Sequence, residues 1–156
     1  MDANTLRTYS GKHFSYENPN IEMIDIIDIA MSLSMKCRMN GHTSFFYSIA
    51  QHSVELSKRM GNSLPALLHD ASECYLSDVP SPLKKILPCY LKVERKINRI
   101  IEDKFEIKFD KNIKTQDRLL MDIEHISLFQ NKTPFDLWDS NKSYNEFLKQ
   151  YELCIK

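Results

Sequence analysis

The stretch ALLHDASE sets a histidine, His69, beside a carboxylate, Asp70, at the end of an apolar run, with a second acid, Glu73, three residues beyond Asp70 and four beyond His69. On a helix, residues three and four apart share a side. The spacing therefore gathers an imidazole and two carboxylates, residue types that bind divalent cations and transfer protons. The same pattern also suits a polar helix face whose acid caps a neighbour, and adjacent helical residues diverge by about 100°, so spacing alone leaves both readings open. Upstream, the segment KCRMNGHTSFF loses helical periodicity around the turn-prone pair Asn40-Gly41 and delivers Arg38 and His42 to one place. Downstream, Asp78 precedes a segment with two prolines in three residues, where it is placed to cap a loop.

These groups need helices to hold them, and the composition leans that way. The chain has 156 residues, 42% hydrophobic and 27% charged, with only 3 Gly and 6 Pro, which fits one sizeable core and disfavours linker-rich or turn-dense all-β folds. Lys plus Arg equals Asp plus Glu at 21 each, so no net field draws the chain onto nucleic acid or an anionic membrane. Cys37, Cys74, Cys89 and Cys154 form no C-x-x-C pair, and a reduced, cytoplasmic protein is expected. No apolar run approaches the roughly 18 residues of a membrane span, and the N-terminus lacks a signal-peptide core.

Hydrophobic periodicity predicts a helix over 24–35, with Asp25 as its cap and Ile26, Ile27, Ala30 and Leu33 on one face. Ser48 and Gln51 offer a capping box for a second helix over 49–60. A third starts at Ser63, with Pro65 in its first turn, and carries His69 and Asp70. Further helices are read over 90–105, with Ile97, Ile100, Ile101 and Phe105 inward, over 115–129 and over 142–153. The N-terminus through about residue 20 reads as irregular, and only 105–109 hints at strand alternation. Trp138 is expected to pack on the core as part of a helical tail over about 130–156. The fold expected is all-α, a compact single-domain helical bundle over 1–156 with ligands on facing helices.

Taken in order, His52 in YSIAQHSVEL, His69-Asp70 in ALLHDASECYLSDVPSPLK and Asp117 in IKTQDRLLMDIE resemble the signature of HD-domain metal-dependent phosphohydrolases: a His, a His-Asp pair and a distant Asp. With SGKHF and DIAMSLSMKCRMNGHTSFFYSIAQHS upstream, the chain is similar over about residues 10–124 to the small phage and prophage branch, which includes 5′-deoxynucleotidases and phage deoxynucleoside triphosphate triphosphohydrolases. The resemblance implies that His52, His69, Asp70 and Asp117 ligate one divalent metal. Two imidazoles and two carboxylates suit Mn²⁺, Co²⁺, Fe²⁺ or Zn²⁺. Glu73 matches the family's acid/base position, and Asp78 matches an acid that contacts the nucleotide sugar or the reaction water. Arg38 matches a loop arginine whose planar fork suits a phosphate or sugar oxygen, and His42 is placed to reach the same phosphate or to sit in an exposed turn. Where several relatives carry an aromatic residue after that arginine, this chain has Met39.

The activity so implied is hydrolysis of a deoxynucleoside 5′-monophosphate to deoxynucleoside and phosphate by metal-activated water. The alternatives are a triphosphohydrolase acting on a deoxynucleoside triphosphate and a non-catalytic nucleotide-binding module. The expected partner is a deoxynucleotide, with no stable nucleic-acid complex and no membrane, and the resemblance implies a homo-oligomer.

Overall fold

Residues 4–129 and 136–156 are described by the structure, a computed structural model. Four of its helices start where a side chain satisfies a free N–H group of the first turn. Asp25 accepts from Ile27 N at 2.9 Å and opens α1 (Ile26–Met35). Ser48 accepts from Gln51 N at 3.0 Å and opens α2 (Ile49–Arg59). Ser63 accepts from Ala66 N at 3.3 Å and opens α3 (Leu64–Leu67), where Pro65 lies in the first turn. Two short helices follow, α4 (Glu73–Leu76) and α5 (Ser81–Lys84), then three long ones, α6 (Pro88–Phe105), α7 (Lys111–Phe129) and α8 (Ser140–Cys154). Asp139 caps α8, accepting from Lys142 N at 2.7 Å.

The expected all-α character is observed, with one addition at the N-terminus. There β1 (Thr5–Arg7) and β2 (His13–Ser15) pair antiparallel, with Leu6 opposite Phe14. Strands of three residues show too little alternation to read from sequence, and tertiary contacts hold this hairpin in place. Asp28 of α1 accepts from Ser10 N at 2.6 Å and from Ser10 Oγ at 2.8 Å in the hairpin turn. Phe14 is fully buried and stacks on Tyr75 with ring centroids 4.0 Å apart. The alternation read over 105–109 forms no strand, because α6 ends at a left-handed Glu106 and the chain turns into α7.

At the centre is α2, whose first turns are buried on every side; α1, α3, α7 and α8 pack around it. Ile29 and Leu33 of α1, Ile49 and Val54 of α2, Leu67, Ile97 and Ile101 of α6, and Phe147 of α8 form one continuous core. Trp138 joins it, as expected of the tail; the stretch 130–135 of that tail lies outside the described residues. Gln51 does not complete a capping box. Its amide donates to Asp136 O at 2.8 Å and accepts from Trp138 N at 3.1 Å, tying the segment before α8 onto α2. No disulfide links the four cysteines, and among the described residues no helix is long and apolar enough to cross a membrane.

Candidate metal centre

The third helix stops earlier than its sequence pattern predicts, and this break assembles the centre. After Leu67 the backbone is wound by bonds to the third preceding carbonyl, Ala71 N to Leu68 O, Glu73 N to Asp70 O and Cys74 N to Ala71 O, a tighter winding than the α-helix. His69 and Asp70 lie in this turn rather than on a regular helix. The two neighbours therefore meet: His69 Nε2 is 3.1 Å from Asp70 Oδ2. From α2, the fully buried His52 brings its Nε2 to 3.4 Å from His69 Nε2 and 3.8 Å from Asp70 Oδ2. From α7, Asp117 Oδ1 lies 3.1 Å from His52 Nε2 and 3.8 Å from His69 Nε2.

Separations of 3.1 to 3.8 Å lie close to those of atoms that share one ion. Ligands about 2.1 Å from a first-row metal lie about 3.0 Å apart at octahedral corners and about 3.4 Å apart in a tetrahedron. His52, His69 and Asp117 form a mutually close triad able to hold an ion, and Asp70 flanks both of its imidazoles. Two imidazole nitrogens and one carboxylate oxygen make up the triad, a donor set of the kind that holds divalent first-row ions.

Each imidazole is held from behind. His69 Nδ1 is 2.8 Å from Ala66 O, and His52 Nδ1 is 2.6 Å from Glu124 Oε1. The other oxygen of Glu124 lies 3.2 Å from Arg38 Nε, and Arg38 Nη1 lies 3.4 Å from Asp70 Oδ2. Tyr47, buried in the same place, is coupled to Glu124, which together with burial pushes its phenol far above the usual range. Burial alone would lower His69, but the carboxylates of Asp70 and Asp117 outweigh it and push the imidazole up to about 10. Burial alone would raise those two acids; His69 and His52 outweigh it and hold both well below the usual carboxylate range.

A pocket of about 550 Å³ opens onto this cluster, and Asp70 and Asp117 form part of its wall. The other residues expected at the site also line it: Arg38, His42, Glu73 and Asp78. Arg38 is buried and engaged with acids, whereas His42 is exposed at the rim. Glu73 begins α4 instead of continuing the helix of His69, and the residue is 6% exposed, with no hydrogen-bond partner at Oε2. Burial first, then Asp70 and Asp78, pushes it well above the usual carboxylate range. Met39 lines the pocket beside Arg38.

Two residues at the site escaped the sequence reading. Lys36 donates through Nζ to the carbonyls of Glu73 and Cys74 and so ties the end of α1 to the segment that carries Glu73. Glu124 lies seven residues after Asp117 on α7, two turns along the same face. That spacing was visible in the sequence; its burial was not.

No family model matches the chain. It is similar to the uncharacterized protein YfdR of Escherichia coli K12, with 48% identity over 102 residues that cover 64% of this chain and 57% of YfdR. It is also similar to an uncharacterized protein of Rhodobacter capsulatus, with 35% identity over 89 residues that cover 50% of this chain and 45% of that protein. The chain thus spans about half the length of these curated relatives.

Proposed function

We propose that the chain is a divalent-metal-dependent phosphohydrolase of the HD-domain type that cleaves deoxynucleoside 5′-monophosphates. The observation that carries this reading is the meeting of His52, His69 and Asp117, drawn from three separate segments, with Asp70 beside both imidazoles and the two acids lining an open pocket. A bound first-row ion supplies water activation near neutral pH and polarises a phosphoryl oxygen.

The chain's own residues account for the rest. Arg38 sits in the pocket wall with its guanidinium held by Glu124 and Asp70, so its remaining N–H groups meet a phosphate oxygen without first losing side-chain freedom. Burial and two neighbouring acids push Glu73 well above the usual carboxylate range, which favours the protonated form that serves as general acid to the leaving sugar oxygen. Asp78 faces the same space and accepts from a sugar hydroxyl or the attacking water. Both Lys and Arg residues of the pocket lining are already matched by acids, Arg38 by Glu124 and Asp70, and Lys84 by Glu94 at 2.6 Å. That charge balance favours a monophosphate over a triphosphate.

The test is chromatography of products after metal-loaded protein is incubated with deoxynucleoside mono- and triphosphates, with Glu73→Gln as control. Phosphate and deoxynucleoside from monophosphates, lost in the control, are expected. Release of inorganic triphosphate instead redirects the reading to a triphosphohydrolase. Nucleotide binding without any product overturns the enzyme reading in favour of a binding module.

A further inference from the structure

We infer that Glu124 is a positioning residue that locks His52 as a metal ligand and couples it to Arg38 in the pocket wall. Its carboxylate is fully buried, and such a charge persists only if both of its oxygens are matched. They face different partners: Oε1 lies within hydrogen-bond distance of His52 Nδ1 at 2.6 Å, and Oε2 is ion-paired with Arg38 Nε at 3.2 Å without hydrogen-bond geometry.

The first contact decides chemistry. A carboxylate only accepts, so His52 must carry its proton on Nδ1, which leaves the Nε2 lone pair as the ring's metal-binding position. That atom is the one facing His69, Asp70 and Asp117. The second contact closes a ring, because Arg38 also pairs with Asp70. One buried acid thereby links the His52 imidazole to the Arg38 guanidinium and, through it, to the Asp70 carboxylate. Since α7 carries both Asp117 and Glu124, a single helix supplies a ligand and the group that orients another.

This inference rests on the metal-centre reading, though not on which phosphate ester is cleaved. In the Glu124→Gln variant the side chain keeps its shape and loses its charge. Removing an outer partner of a metal-bound histidine weakens metal binding by about 10- to 100-fold, and a loss in that range is expected in Co²⁺ titrations, together with altered visible bands of the bound Co²⁺. In the Zn²⁺-loaded wild type, the His52 Nδ1 proton is expected far downfield and protected from exchange in NMR spectra; in the variant it moves upfield. A folded variant with unchanged Co²⁺ affinity, Co²⁺ bands and His52 proton overturns the inference, even if its thermal stability has fallen, since a purely structural carboxylate would do only that. Should the variant fail to fold, the wild type decides alone: a His52 bound through Nδ1, or one whose Nδ1 proton exchanges freely, overturns it. A wild type that takes up neither ion overturns it too. A wild type that binds metal as described yet cleaves no nucleotide overturns only the proposed function.

Discussion

Replacing Arg38 with methionine keeps much of the side chain's apolar length and removes the one guanidinium that pairs with both Glu124 and Asp70. Glu124 cannot turn to solvent, because it is fully buried. Breaking a buried ion pair by deleting one partner costs about 3–5 kcal/mol. Glu124 retains His52 as a partner, which places the expected loss near the lower end, about 3 kcal/mol. In a domain of this size each kcal/mol shifts Tm by about 2–4 °C, so Arg38→Met is expected to melt about 6–12 °C below wild type. The companion variant Arg38→Met/Glu124→Gln removes the stranded charge, and its Tm is expected to lie above the sum of the two single losses by a coupling of about 1–3 kcal/mol. Thermal unfolding of the four proteins, metal-free and followed by circular dichroism, reads this directly. An Arg38→Met protein within about 2 °C of wild type, or strictly additive losses, would refute a structural charge link. If KM alone rose, Arg38 would be a pure substrate contact.

Other perturbations separate the parts of the site. His52→Ala or Asp117→Ala is expected to lose bound metal and activity together in metal analysis and turnover assays, whereas Glu73→Gln keeps the metal and loses about 10²- to 10⁴-fold in kcat; full activity in any of the three would remove that residue from the site. In the metal-free protein His69 is raised from 6.5 to about 10, so the folded state holds a proton there that the unfolded chain has released. Stability is then expected to be fully present below pH 6.5 and to decline toward pH 10, whereas Co²⁺ affinity climbs over the same window as the proton leaves. Scanning calorimetry from pH 6 to 10 with and without Co²⁺ checks both signs, and a metal-free Tm that rises across this range would contradict the geometry. Phe14→Ala should cost about 3–5 kcal/mol in urea unfolding, because the ring is fully buried against Tyr75; a loss under about 1 kcal/mol would show that the hairpin is not part of the core.

Local chemistry explains which elements could be read in advance. Asp25, Ser48 and Ser63 cap helices as expected, because an N-cap bond spans two or three residues and depends on little else. Ile97 and Ile101 point inward as their spacing demands. Features that rest on distant partners were invisible: the hairpin anchored by Asp28, and the Gln51 amide drawn away from its own helix start by the segment around Trp138.

The candidate metal centre divides along the same line. Donor types, their order along the chain and the helical register that sets Glu124 two turns beyond Asp117 are properties of the sequence alone. Whether those donors meet was decided by tertiary structure. Packing broke the third helix after Leu67, so that the adjacent His69 and Asp70 could face one point. The close approach of α7 to α2 brought Asp117 and Glu124 to opposite nitrogens of the His52 ring. Side-chain spacing constrains neighbours within a helix turn, but the convergence of atoms from α2, the turn after α3 and α7 depends on how a shared core is filled, and that is a property of the whole chain.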